Sequence, residues 1–308
     1  MAPANPLRDD DLSWPALPFE EWRDTYATLH LWTQMVGKVR LALAPQVNHW
    51  WNVALYVSPR GLATSAIPYG GGLFEIEFDF QDHQLAIRTG DGGGRALPLS
   101  PQPVAEFYRE FRAALESLGI HAPVNPRPQE IPGAIPFDQD YAHAAYDGEY
   151  TRRFWRILAS ASGVLGEFRA RFLGKSSPVH FFWGSFDLAC SRFSGRLAPP
   201  RKGVISGEAY SHEVISAGFW PGNASMGPMF NSYTVPRPPG LDREPVRPAA
   251  ASWNQDFGEF VLPYDDVRRA PSPAADLMEF LESTYAAGAR LAHWDRRALE
   301  REAAVPTA

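Results

Sequence analysis

Apolar positions recur at helical spacing in four stretches. In residues 19–36, Trp22, Tyr26, Leu29 and Val36 share a face, and Gly37 follows as a stop. Residues 104–118 carry Val104, Phe107, Phe111, Leu115 and Leu118 on one stripe. Ser100 and Pro101 stand before that stripe as cap and first helical residue, and Gly119 closes it. Asp147 is placed to cap a third helix with the stripe Phe154, Ile157, Leu158, Ala161, Leu165, Phe168 and Phe172, ended by Gly174. Ser272 and Pro273 open the last helix, which turns Leu277, Phe280, Leu281, Thr284 and Leu291 inward.

Between these helices the period shortens to two or vanishes. Residues 39–44, 49–57 and 62–67 read as strands. Phe74, Ile76, Phe78 and Phe80 alternate with Glu75, Glu77 and Asp79, a strand with one wet face that pairs with 84–89. Residues 174–188 read as one strand buried on both faces, with His180 and Asp187 on opposite sides. Strands follow at 210–219, 229–235 and 259–262.

The order of elements suggests two halves. Residues 1–18 form an extended arm, 19–120 a first half, 121–145 a proline-rich linker and 146–301 a second half. Each half shows a helix, a Gly-Lys pair (Gly37-Lys38, Gly174-Lys175), a His-aromatic-aromatic run (His49-Trp50-Trp51, His180-Phe181-Phe182) and a closing helix. The fold class read from this is α+β: antiparallel strands with flanking helices, in two similar halves related by a pseudo-twofold. A site is then expected between the halves.

Composition removes some functions. The chain has 308 residues, 45% apolar and 21% charged, which suits a soluble protein with a substantial core. A formal charge of -6 with no basic run argues against nucleic acid as partner. No apolar run is long enough to span a membrane. Cys190 is the one cysteine, so no intrachain disulfide forms, in keeping with a cytoplasmic location. Lys38, Lys175 and Lys202 are the only lysines.

Three runs, EWRDTYATLH from Glu21, PVHFFWGSFD from Pro178 and YSHEVISAGFWPG from Tyr210, resemble those of a bacterial protein family defined as a domain of unknown function. The resemblance spans nearly the whole chain. It implies no activity.

The candidate chemistry comes from polar residues inside aromatic runs. His49, His180 and His212 are a candidate three-ligand metal site, with ligand types that suit zinc or iron. Glu213, Asp187 and His212 are candidates for acid–base work. Trp51, Trp183, Tyr210, Lys38 and Lys175 are candidates to line a ligand pocket or bind an anion. Against these stand structural roles: histidines bonded to backbone carbonyls, lysines at helix ends, and an Asp187 ion pair with Arg192 or Arg196. Trp51, Phe181, Phe182 and Phe186 are expected in the core. Two functions are expected: a cytosolic enzyme acting on a small molecule, or a non-catalytic binder of an apolar or aromatic ligand.

Overall fold

The computed structural model describes residues 14–301. Residues 1–13 of the expected arm and the tail beyond Arg301 lie outside the described residues. Trp14–Pro18 are docked: Leu17 is buried, and Trp14 meets Phe230 and Tyr264 of the second half.

The hub is α1, Phe19–Leu43, whose residues from Thr28 to Arg40 are all buried. A helix buried all round packs on several partners at once. Trp22 meets Phe154, and Trp32 stacks on Phe107 at 4.3 Å. Gly37 lies under the Trp183 indole, where a Cβ would come within 2.1 Å of the ring. Gly37 is therefore a packing glycine and not a stop. The strand expected at 39–44 is the last turn of α1.

A single helical turn, Asn48–Trp50, follows where a strand was expected. The first sheet holds β1 (Tyr56–Val57), β2 (Gly61–Ala63), β3 (Ile67–Tyr69), β4 (Gly72–Asp79), β5 (Gln84–Thr89) and β6 (Gly94–Pro98). Its order is β1-β2-β4-β5-β6, with β3 also on β4. The polar face of β4 is wet only at Glu75 and is buried at Glu77 and Asp79, unlike the expectation. Asp79 is 2% exposed and accepts from Arg60 and from the Gln81 and Asp82 amides, and Glu77 accepts from Ser58 and Arg88. Next comes α2, Val104–Ser117, which starts after Pro103, not at Ser100–Pro101. Gly119 ends it at φ 72°.

The proline-rich linker is anchored on α1. Gln34 exchanges hydrogen bonds with the Gln129 backbone, and Lys38 donates to the Arg127 carbonyl at 2.8 Å. Asp147 caps α3 (Gly148–Ala170) as expected, accepting from the Glu149 and Tyr150 amides.

The second half contains β7 (His180–Phe182), β8 (Asp187–Leu197), α4 (Val204–Ala209), β9 (His212–Trp220), β10 (Met229–Val235), β11 (Ser252–Asn254) and β12 (Glu259–Pro263). It ends with α5 (Tyr264–Arg269), α6 (Pro273–Leu291) and α7 (Arg296–Leu299). The strand order is β11-β12-β10-β9-β8-β7, all antiparallel. The long strand expected at 174–188 is instead a hairpin. Phe186 takes φ 59° in its turn, and Phe182 pairs with Asp187. His180 and Asp187 therefore share one face. The two sheets meet where Leu55 and Phe181 exchange backbone hydrogen bonds of 2.8 and 2.7 Å.

The fold is α+β, and each half is helix, antiparallel sheet, helix. The matched motifs do not occupy matching places. Gly37-Lys38 is inside α1, whereas Gly174-Lys175 lies past the end of α3. His49-Trp50-Trp51 is a turn, whereas His180-Phe181-Phe182 is a strand.

The second sheet has two unlike faces. The back carries Phe181, Leu188, Cys190, Ile215, Ala217, Phe219 and Phe230 against α3 and α6, an apolar core worth about 1.5–3 kcal/mol per large side chain. α6 comes so close that a Cβ on Gly288 would meet Thr234 Oγ1 at 2.4 Å. By alternation and register the front carries His180, Phe182, Asp187, Ser191, Phe193, His212, Ser216, Trp220, Asn231, Tyr233 and Glu259. Phe182 is on this face and only half-buried, as is Trp51, whereas Phe181 and Phe186 are fully buried.

Candidate functional site

Ionisable groups gather at both ends of that front face. One end lies at the seam between the halves. His49 comes from the first half, on a backbone that is left-handed at two successive residues: His49 has φ 59° and Trp50 φ 62°. Such a conformation is uncommon for non-glycine residues and costs about 1–3 kcal/mol each. Long-range bonds hold it. Arg40 Nε donates to the Asn52 carbonyl at 2.6 Å, and Val47 N donates to Asn52 Oδ1 at 3.2 Å. The result swings the His49 ring onto Phe193, 4.6 Å between centroids, and beside Trp51 at 5.2 Å.

The neighbours of His49 define its tautomer. Nδ1 lies 3.1 Å from the Ala209 carbonyl, an acceptor only, so Nδ1 carries the proton. Nε2 is then a bare acceptor, and Lys175 Nζ donates to it at 2.6 Å. Burial lowers the His49 pKa, and the nearby Lys175 and His212 add to that. Lys175 Nζ lies 5.4 Å from the Trp51 ring and 5.1 Å from Phe193. Among the described residues no carboxylate is within ion-pair reach of it, and burial lowers its pKa. The His212 ring is 5.7 Å from His49 and bonds Ser211 Oγ through Nδ1 at 3.0 Å. Tyr210, half-buried, stands between Tyr233 and Arg201.

Of the sequence candidates, His49, His212, Lys175 and Trp51 thus come together, with Tyr210 adjacent. Others do not. His180 is fully buried behind Trp51, with neither ring nitrogen bonded, and burial pushes its pKa down to about 3. The three histidines do not converge, and the described residues contain no group of three or more His, Cys, Asp or Glu placed to hold a metal. Glu213 points to the back of β9, where Arg196 and Ser194 bond it. Lys38 is 4% exposed and serves the linker. Trp183 is 4% exposed, and its indole N–H donates to the Val53 carbonyl at 2.8 Å.

Carboxyl groups without cations lie elsewhere on this face: Asp187 at the far end, and Glu259 on β12, level with Ser191 and Ser216. Asp187 accepts from the Ser185 hydroxyl and meets neither Arg192 nor Arg196. Arg192 lies on the back face, donating to the Phe168 carbonyl, with Glu282 at 3.6 Å. Burial raises the Asp187 carboxyl to about 6, and the nearby Glu130 charge adds to the rise. Burial likewise raises Glu259 to about 7, opposed by Asn231 Nδ2, which donates to it at 3.2 Å. Burial lifts the Tyr233 hydroxyl well above its ordinary value. Between the ends, Ser191 Oγ donates to Ser216 Oγ at 2.9 Å. Asp187 and Phe193 are six residues apart on β8, about 20 Å.

Sequence reading missed Phe193, Glu259, Tyr233 and the Ala209 carbonyl. Alternation along β10 and β12 could have put Tyr233 and Glu259 on the face of His212. Nothing local marks Ala209, which reaches His49 across 160 residues. Two open concavities along α2, of about 230 and 500 Å³, are lined by Arg112 and Glu116 among others and lie apart from these groups.

No helix among the described residues is long and apolar enough to cross a membrane. No curated protein and no solved structure matches the chain. One family model matches residues 14–301, nearly the full length, and the chain belongs to that family: the family of unknown function DUF5996.

Proposed function

We propose that this chain is a cytosolic enzyme acting on a small molecule, with its reacting centre at Lys175, His49 and His212. One observation carries the reading. A solvent-reachable lysine amine lies 2.6 Å from a bare histidine nitrogen, between two aromatic rings, with no carboxylate beside it. A structural lysine in a protein usually has an anion or carbonyl as partner, as Lys38 has. An amine denied one is a poorer cation and a better nucleophile or proton carrier. His49 accepts its proton, and the Ala209 carbonyl fixes the tautomer that allows this. Two left-handed residues supply backbone strain at the same place, a feature that collects at functional sites.

A second reading rests on Trp51. Its half-buried ring suits an apolar or aromatic ligand held without chemistry. A small-molecule screen separates the two. A ligand at 100 times its Kd stabilises the fold by about 2.7 kcal/mol, read as a rise in Tm. The enzyme reading expects a hit that is chemically altered over time by the native chain and left intact by Lys175→Met. A ligand that binds Lys175→Met as well as the native chain, and is never altered, would leave the binder.

A further inference from the structure

We infer that the substrate class is an aldehyde or ketone, which Lys175 takes up as an imine. This rests on the reading of Lys175 and His49 as the reacting centre and adds the bond that forms there. Three features of the geometry point to it. First, the amine needs to lose a proton before it can attack, and His49 Nε2 is 2.6 Å away, unprotonated, and aimed at it. Second, the half-buried Trp51 ring lies 5.4 Å from Nζ and offers an apolar wall for a planar carbonyl compound. Third, His212 is next to His49, with Nδ1 bonded to Ser211 and Nε2 left for a substrate oxygen.

The Lys175 ammonium passes one proton to His49 Nε2. The free amine pair attacks the carbonyl carbon, a C–N bond forms, and the carbonyl π pair moves to oxygen. A proton moves from nitrogen to that oxygen through the histidines, giving the carbinolamine. Proton transfer from His49 or His212 to the hydroxyl lets the C–O bond break and water leave. The nitrogen lone pair closes the C=N bond. Overall one amine and one carbonyl give one imine and one water, with no change of oxidation state.

Lys38 and Lys202 make the test internal. Lys38 is buried on the Arg127 carbonyl and Lys202 is exposed, so one protein carries three distinguishable lysine amines. The full chain is incubated at pH 7 with a low concentration of benzaldehyde or glyceraldehyde and cyanoborohydride. Peptide mass spectrometry then gives the rate at each lysine. Burial and the His49 Nε2 acceptor 2.6 Å away both favour the free amine at Lys175, so Lys175 is expected to be modified severalfold faster than Lys202. His49→Gln is expected to reduce the rate at Lys175 and leave that at Lys202 unchanged. Modification of Lys202 as fast as Lys175 in the native chain overturns the inference, without recourse to any variant. The reacting centre itself is judged separately, by the ligand screen with Lys175→Met.

Discussion

The two ends of the second sheet's front face hold opposite chemistry in the same predicament. At one end Lys175 and two histidines have no carboxylate; Asp187 at the other, and Glu259 on β12, have no cation. About 20 Å of β8 separates Asp187 from the amine end, and three strand spacings of about 4.8 Å separate Glu259 from β8. Burial disfavours whichever form is charged, so it pulls the amine down and pushes the carboxyls up. Both ends therefore drift toward neutrality. What differs is how each is built. Strand alternation and one hairpin turn within the second half deliver the carboxyls, whereas the amine end needs a loop from the other half, bent into a strained shape and tied by Arg40.

Cutting that tie is the strongest way to test the comparison. Arg40→Ala removes a buried hydrogen bond to the Asn52 carbonyl and a part-buried one to Ser65. It should destabilise the fold by about 2–4 kcal/mol in urea denaturation. The carboxyl titrations of Asp187 and Glu259, followed by NMR, should stay in place. If they move with Arg40, the two ends are one unit.

Asp187→Asn should come next in size. The folded Asp187 carboxyl titrates near 6, above the unfolded value of about 3.9. The folded state then holds its proton longer, so this group's contribution is fully present below pH 4 and is lost as pH rises through 6. Asparagine removes that dependence and should stabilise the protein at pH 8 by about 1–2 kcal/mol, the shift discounted for solvent access. At pH 4 it should gain nothing. Equal effects at both pH values would mean that Asp187 is not held protonated by burial.

The same substitution sharpens the picture among the carboxyls. Asp187 is one cause of the raised Glu259 titration, so Asp187→Asn should bring Glu259 below its value of about 7. An unchanged Glu259 midpoint would show that burial acts on it alone. The smallest effect is expected from His212→Gln, less than about 0.5 kcal/mol on stability, because its ring is half-buried and bonded only to the neighbouring Ser211. A larger loss would make His212 structural.

The contrast between the ends also explains what could be read from sequence. Asp147 caps its helix through its own side chain, and the stripe from Phe154 to Phe168 is local, so α3 was legible. The partners of β9 and β10 follow from period-two alternation, which already places His212 opposite Glu213. Gly37 misled because the reason for it is Trp183, 146 positions away, and not the end of a helix. His49-Trp50-Trp51 looked like a strand because aromatic runs favour strands. Its left-handed turn depends on Arg40, Asn52 and Ala209, a set no local pattern encodes. Gly184 within the Phe181–Asp187 run marks the tight turn that a continuous strand reading passed over. That error put Asp187 on the wrong face and gave it arginine partners that lie elsewhere.

The Lys175 amine has a histidine nitrogen and no carboxylate as partner, and its proton affinity can be measured directly. With three lysines in the chain, selective ¹³C labelling gives three side-chain signals, assigned by Lys38→Arg and Lys202→Arg. Lys175 is expected to titrate below the ordinary lysine value of about 10.4. A Lys175 midpoint at or above that value, as an ion-paired ammonium would show, contradicts that expectation.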